Sequence, residues 1–165
     1  MIEHIVNLTV PNVKAVSFYN FMISPDNIKY QQWWPEEHMQ FHITRHSNED
    51  HLGDEVFYDE YLGEKRRLVF NAIVVTANRP NKITWQMKKA GLHLPAYLSV
   101  EFLDTTEGLH IKHVLKVGFS GIGKLLDPFI KLYINKPFID ALEKHCLVEW
   151  PKLADFLNKE KSNAT

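Results

Sequence analysis

Residues 138–156 read FIDALEKHCLVEWPKLADF and contain the pattern that decides the fold. At about 100° per residue, one side of an α-helix over this stretch is a mainly apolar stripe. The stripe comprises Phe138, Leu142, His145, Glu149, Leu153 and Phe156. The opposite side is polar and comprises Asp140, Glu143, Lys144, Lys152, Asp155 and Asn158. We therefore predict a long amphipathic C-terminal helix over about residues 122–158, with His145 and Glu149 pointing into the protein.

The two ionisable residues of the stripe need a partner. Burying a carboxylate costs several kcal/mol unless it is paired, protonated or bound to a metal. His145 lies one helical turn before Glu149, so the two side chains can form an ion pair or ligate one cation together. Both interpretations follow from the helix: a buried ion pair that closes a core, and a metal site.

Composition indicates one domain. The chain has 165 residues, of which 45% are hydrophobic and 12% aromatic, enough for a core with room for a cavity. We expect a single domain at 1–158 and a polar tail at 159–165. The 19 basic and 20 acidic residues are mixed along the chain, which gives no electrostatic footprint for nucleic acid or an anionic membrane. A small hydrophobic or aromatic molecule is the expected partner.

Cysteine usage and the N-terminus favour a cytoplasmic location. Cys146 is the single cysteine, so no internal disulfide can form. The first residues, MIEH, lack the charged and apolar regions of a signal peptide. No apolar run approaches the roughly 20 residues that span a bilayer.

The remainder of the chain reads as strands after an early helical stretch. Residues 3–10 alternate as a first strand, Pro11 ends it, and the pattern that follows predicts one or two short helices. Six further strands are predicted at 38–47, 54–63, 67–78, 82–89, 97–104 and 109–119. The turns between them are predicted at 48–53, 63–64, 78–81, 91–95 and 105–108. Loops this short connect antiparallel neighbours.

This order predicts an α+β architecture. A seven-stranded, curved antiparallel sheet should wrap the long C-terminal helix and enclose a pocket. In the last strand, His113 shares a face with Ile111 and Leu115, so it too should point inward.

A glycine-rich stretch at 118–124, GFSGIGK, imitates a phosphate-binding loop. Leu125 stands where the hydroxyl ligand of magnesium is required, and no later strand follows to supply an acidic ligand. We interpret these glycines as a tight turn from strand to helix.

The element order, with WWPEEH at 33–38 and the C-terminal stretch at 118–153, resembles the START-like, Bet v 1-like (SRPBCC) helix-grip superfamily and its polyketide cyclase/dehydrase branch. The resemblance covers nearly the whole chain. Because this superfamily includes cyclases, lipid carriers, hydrolases and stress proteins, the fold alone does not give a function.

A narrower likeness is to the phloretin and diacetylphloroglucinol hydrolases, which cleave a carbon–carbon bond of acylated phenols using zinc. Their motifs are a His after a tryptophan-rich segment, a Glu from an early strand, and HxxxE on the last helix. His38, Glu60, His145 and Glu149 match these motifs in order. The resemblance implies that these four side chains ligate one metal.

Two imidazoles and two carboxylates suit Zn²⁺, and Fe²⁺ and Mn²⁺ remain alternatives. His113 is the candidate catalytic residue, either exchanging a proton or hydrogen-bonding a ligand. The expected pocket wall consists of Trp34, Tyr58, Trp85, Phe119 and Leu142.

Three functions are compatible with these residues. The first is a metal-dependent hydrolase that acts on a small aromatic or acylated phenol-like compound through metal-activated water. The second is a carrier or sensor of a small hydrophobic ligand. The third is a metal-free cyclase or dehydratase with His113 and Glu149 as acid and base.

Overall fold

The structure is a computed structural model that describes residues 1–63, 66–119 and 121–163, without the side chains of Ile122, Leu126 and Phe129. The predicted turn at 63–64, the glycine-rich turn at 118–124 and the tail at 159–165 each include residues outside these ranges. None of the described helices is both long and apolar enough to cross a bilayer.

Seven strands form one antiparallel sheet. The strands are β1 (Ile2–Val10), β2 (His38–Arg45), β3 (Glu55–Tyr61), β4 (Arg67–Asn78), β5 (Lys82–Lys89), β6 (Leu92–Asp104) and β7 (Leu109–Val117). Their order across the sheet is β1-β7-β6-β5-β4-β3-β2, so β1 and β2 are the two edges. The predicted seven-stranded α+β architecture is confirmed.

The helices are α1 (Ala15–Ile23), α2 (Asn27–Trp33), α3 (Asp127–Tyr133) and α4 (Lys136–Asn163), with a 3₁₀ turn at Gly121–Leu126. In α2, the Asp26 side chain caps the first turn by accepting hydrogen bonds from the backbone N–H groups of Ile28 and Lys29, at 2.8 and 3.2 Å. This cap fixes the direction in which α2 leads into β2.

The long helix begins later than predicted. Three segments replace the continuous helix expected over about residues 122–158, and α4 itself starts at Lys136 and extends to Asn163. The physical reason is a cap at Asn135, whose side-chain oxygen accepts a hydrogen bond from the backbone N–H of Phe138 at 3.1 Å. Pro137, in the first turn of α4, reinforces this start.

A second difference is the start of β6. The turn predicted at 91–95 is shorter, because Ala90 and Gly91 both have positive φ, 49° and 79°, and close a two-residue hairpin between Lys89 and Leu92. Pro95 therefore lies inside β6, next to the register shift between Gln86 and Lys88, where a missing N–H is tolerated.

The core lies between the concave face of the sheet and α4. His145, Cys146, Glu149 and Trp150 are buried on α4, as the apolar stripe predicts for His145 and Glu149. His113 is also buried and points inward from β7.

Candidate metal centre and ligand cavity

A cavity of about 90 Å³ lies between the sheet and α4, and we call it the inner chamber. Its lining is mainly apolar and aromatic but includes two histidines and two glutamates, namely His113, His145, Glu60 and Glu149. Such convergence of ionisable groups in an apolar cavity is typical of a functional site.

His38, His145 and Glu149 form what we call the inner cluster. One ligand atom of each residue lies within 4.8 Å of the others. Glu149 Oε1 is 3.6 Å from His38 Nε2, and Glu149 Oε2 is 3.7 Å from His145 Nε2. The fold brings these residues together because α2 and the turn after it place the start of β2 against α4.

The ring of His38 is held in one orientation. It stacks on Tyr30, with ring centroids 4.3 Å apart, and its Nδ1 lies 3.2 Å from the backbone carbonyl oxygen of Tyr30. Because a carbonyl oxygen only accepts, Nδ1 carries a proton, and Nε2 is the ring nitrogen that faces Glu149. His38 Nε2 is buried and has no hydrogen-bond partner among the described residues.

The ring of His145 lies between two carboxylates. Its Nδ1 is 3.8 Å from Glu37 Oε2, on the side away from Glu149, and its face stacks on Trp34 at 4.7 Å. Burial by itself would lower the pKa of His145. The negative charges nearby, from Glu149 first and then from Glu60 and Glu37, have the larger effect and raise that pKa to about 9. In the metal-free protein this imidazole is therefore charged at neutral pH.

The two chamber carboxyls differ in their pKa. Burial acts to raise the pKa of Glu149, but His145 and His38 outweigh it and hold the pKa well below its usual range. Burial and the neighbouring Glu149 raise the pKa of Glu60. Glu149 is thus the permanently ionised carboxylate of the pair.

Glu60 lines the chamber but does not join the inner cluster. Its Oε2 accepts a hydrogen bond from the Tyr30 hydroxyl at 2.8 Å. The structure therefore brings together three of the four residues expected as ligands. It also places Glu37, which was not expected at the site, near His145. Glu37 sits in the turn before β2, where periodicity carries no signal.

The spacing of the inner cluster fits a cation better than hydrogen bonds. Separations of 3.6 and 3.7 Å exceed the hydrogen-bond range. Atoms around one tetrahedral zinc ion, each about 2.0–2.1 Å from it, are about 3.3 Å apart. His38 Nε2, which has no hydrogen-bond partner among the described residues, and the ionised Glu149 are donor types that zinc uses.

His113 reaches the chamber from the opposite wall. Its Nδ1 is 2.6 Å from Cys146 Sγ, which leaves Nε2 for contact with a ligand. Burial lowers the pKa of His113 to about 4, so the ring is neutral at pH 7. Burial also raises the pKa of Cys146 well above its usual range, so the thiol is protonated.

Three of the five residues expected in the pocket wall line the chamber, namely Tyr58, Trp85 and Leu142. Trp34 lies behind His145, between that ring and Lys152, whose Nζ is 4.8 Å above the indole. Phe119 lies beyond the end of β7 at Val117, so strand alternation no longer orients it, and its backbone N–H donates to Asp127.

A larger, more open cavity of about 470 Å³ adjoins the chamber, and we call it the vestibule. The two cavities share the side chains of Leu68, Phe70, Met87, Leu115 and Phe138. These side chains form an apolar waist between the vestibule and the inner chamber.

Comparison with known proteins identifies the fold but no close relative. No family model matches the sequence, and no curated protein matches it. A protein from Rhodobacter sphaeroides has a similar structure, with a TM-score of 0.64 and 11% identity over 95% of this chain and 92% of that one. The major latex-like protein 151 of Panax ginseng gives 0.56 and 10% over 87% and 95% of the two chains.

A protein from Mesorhizobium loti gives a TM-score of 0.59 and 11% identity over 96% of this chain and 98% of its own. At such identities the similarity concerns the fold alone. None of these comparisons bears on the narrower likeness to the phloretin and diacetylphloroglucinol hydrolases. What they establish, together with the sheet and α4, is that the chain has the helix-grip fold of Bet v 1-like proteins.

Proposed function

We propose that this protein is a metal-dependent hydrolase that acts on a small aromatic or acylated phenol-like compound. The observation that carries the proposal is the inner cluster: two imidazoles and one ionised carboxylate, buried beside a cavity and spaced for a shared cation. Zinc fits this donor set, and Fe²⁺ and Mn²⁺ are the alternatives.

The two cavities differ in volume, which indicates where each part of a ligand would bind. A volume of 90 Å³ is below the range of about 300–1,000 Å³ for whole ligands, so the chamber takes only the reacting group. The vestibule, at 470 Å³, suits an aromatic body.

Polar groups of the chamber favour an oxygenated ligand over a pure hydrocarbon. The indole N–H groups of Trp85 and Trp150 are buried and find no partner among the described residues, and both side chains line the chamber. An unpaired buried donor costs about 1–3 kcal/mol. A carbonyl or phenolic oxygen of the ligand would satisfy these donors.

The residues of the site have different roles in the proposed reaction. His38, His145 and Glu149 would hold the metal, which when bound lowers the pKa of a water ligand to about 7 and polarises a carbonyl group. Glu60, whose pKa is raised, is the carboxyl suited to exchange a proton. His113 offers Nε2 to hydrogen-bond the ligand from the opposite wall.

A carrier of a small apolar ligand is the second candidate. The mainly apolar lining of the vestibule favours it, because such a wall binds a ligand without chemistry. A metal-free cyclase or dehydratase with His113 and Glu149 as acid and base is less favoured, since an imidazole with a pKa of about 4 has no proton to donate at neutral pH and is a weak base.

The test compares two glutamates of α4. Glu149→Gln removes the central carboxylate, and Glu143→Gln is the matched control because the Glu143 side chain is 52% exposed. Both proteins and the wild type are stripped with chelator, reloaded with zinc and assayed for bound zinc, cooperative unfolding and turnover of acylphenols and aryl esters.

We expect Glu149→Gln to bind one zinc fewer than Glu143→Gln, to stay folded and to lose metal-dependent turnover. Equal zinc content in the two variants contradicts the metal centre. Zinc binding in the wild type without turnover of any compound, combined with tight binding of the same compounds, favours the carrier.

A further inference from the structure

A second group of histidine and aspartate residues lies in the loop between β2 and β3, and we call it the outer cluster. It consists of His46, His51 and Asp54. Asp54 Oδ2 is 3.1 Å from His46 Nδ1 and 2.9 Å from His51 Nδ1, and the two ring centroids are 5.3 Å apart. The three ligand atoms lie within 4.8 Å of one another.

The carboxylate of this cluster is fixed in place. The Asp54 side chain is fully buried, and its Oδ1 accepts a hydrogen bond from the backbone N–H of Ser47 at 2.7 Å. The Asp54 backbone oxygen accepts from Val74 N–H at 2.9 Å, which ties the residue to β4. Oδ2 is therefore presented to the two imidazoles by a rigid part of the sheet.

We propose that the outer cluster is a second metal site, which binds a divalent ion of the zinc class through His46 Nδ1, His51 Nδ1 and Asp54 Oδ2. Two ring nitrogens converge on one carboxylate oxygen, and His51 Nδ1 is within hydrogen-bond distance of it. A metal would replace that hydrogen bond and would need the ligand atoms to separate by only a few tenths of an ångström, to the roughly 3.3 Å spacing around tetrahedral zinc. An imidazole that ligates through Nδ1 carries its remaining proton on Nε2, so both rings would present a lone pair to the ion and an N–H to their surroundings.

The donor set and the exposure define the kind of site. Imidazole nitrogens select zinc, nickel or copper over calcium and magnesium, which prefer oxygen. The His46 side chain is 62% exposed, so water has access to complete the coordination. None of the three residues lines the inner chamber or the vestibule, and His51 lines a separate surface cavity of about 390 Å³ beside Glu49, Asp50 and Arg79. A position away from the ligand cavities suits a structural role more than catalysis.

The location of the outer cluster implies that a bound metal would stabilise the hairpin of β2 and β3. His46 directly follows β2 and Asp54 directly precedes β3, so a metal would join the two ends of this hairpin. Closing that loop would stabilise the edge of the sheet. His38 and His46 are eight positions apart along β2 and its end, about 26 Å in an extended strand, so the outer and inner clusters are separate sites.

The experiment counts zinc ions per chain in a two-by-two set of variants: wild type, His51→Ala, Glu149→Gln and the double variant. His42→Ala is the control because His42 is an exposed histidine of β2. Zinc is measured by competition with a chromophoric chelator, and the imidazole signals of His46 and His51 are followed by NMR. Thermal unfolding with and without zinc verifies that each variant folds.

We expect two zinc ions in the wild type and in His42→Ala, one in each single variant and none in the double variant. His51→Ala should weaken the outer site by about 100-fold or more. A wild type that binds one zinc, lost in His51→Ala, supports the outer site and contradicts the proposed function. A wild type that binds one zinc, lost only in Glu149→Gln, shows that the outer cluster is a hydrogen-bonded turn and overturns this proposal.

Discussion

The inner and outer clusters have the same donor set, two histidines and one acidic residue, in different surroundings. In the inner cluster the carboxylate and imidazole atoms are 3.6 and 3.7 Å apart, whereas in the outer cluster they are 3.1 and 2.9 Å apart. The inner cluster borders a chamber wide enough for a reacting group, and the outer cluster borders solvent. The same donor types therefore suit the proposed catalysis at the inner cluster and the proposed stabilisation of a loop at the outer cluster.

The two clusters also differ in how the chain assembles them. The outer cluster uses residues within positions 46–54, while the inner cluster joins the start of β2 to the middle of α4. The inner cluster thus exists only when the sheet has closed on the helix. Its side chains should be coupled to the stability of the whole domain more strongly than those of the outer cluster.

The largest expected effect comes from breaking the inner cluster. In metal-free protein, His145→Leu leaves the Glu149 carboxylate buried beside His38 alone and should lower the free energy of unfolding by about 3–5 kcal/mol. His145→Leu combined with Glu149→Met removes both charges and should be near neutral or stabilising. Denaturant unfolding measures both. A double variant as unstable as the single one would contradict the assignment of the cost to an unpaired charge.

The next effect is a loss of stability at alkaline pH that the His145–Glu149 pair of the inner cluster should produce. The folded-state pKa of His145, about 9, lies above its unfolded value of about 6.5. Its contribution is therefore complete below about pH 6.5 and is lost as pH rises to about 9, with a slope of up to about 1.4 kcal/mol per pH unit. Unfolding of metal-free protein across this range measures it. The His145→Leu/Glu149→Met variant is the control and should lack the decline.

The smallest expected effect concerns the outer cluster. Asp54→Ala removes the acceptor of Ser47 N–H and the partner of both imidazoles, and should cost about 1–3 kcal/mol without zinc. Glu49→Ala, an exposed change in the same loop, should be close to neutral. If Asp54→Ala lowers the free energy of unfolding as much as His145→Leu does, the inner cluster is not more strongly coupled to the stability of the domain than the outer cluster.

Sequence patterns predicted the sheet well because alternation and turn residues act locally. The exceptions have local causes that were present but not recognised, namely the cap at Asn135 and the positive φ angles of Ala90 and Gly91. The predicted last helix ran through Asn135 because hydrophobic periodicity carries no information about capping residues.

Less of the candidate site follows from sequence. The i,i+4 spacing identified His145 and Glu149, and the resemblance added His38. Glu37 could not be found in this way, because a turn sets its position and tertiary packing sets its distance to His145. The outer cluster was missed for a similar reason, because a loop rather than a helix or strand brings His46 to Asp54.

The most direct test of the central claim is an anomalous difference map at the zinc edge from crystals grown with zinc. We predict a peak about 2.0–2.3 Å from His38 Nε2, His145 Nε2 and a Glu149 carboxylate oxygen, with Glu60 still hydrogen-bonded to Tyr30 outside the coordination sphere. The contradicting result is no peak there, with Glu149 instead closing onto the two imidazoles at hydrogen-bond distances of about 2.7–3.2 Å.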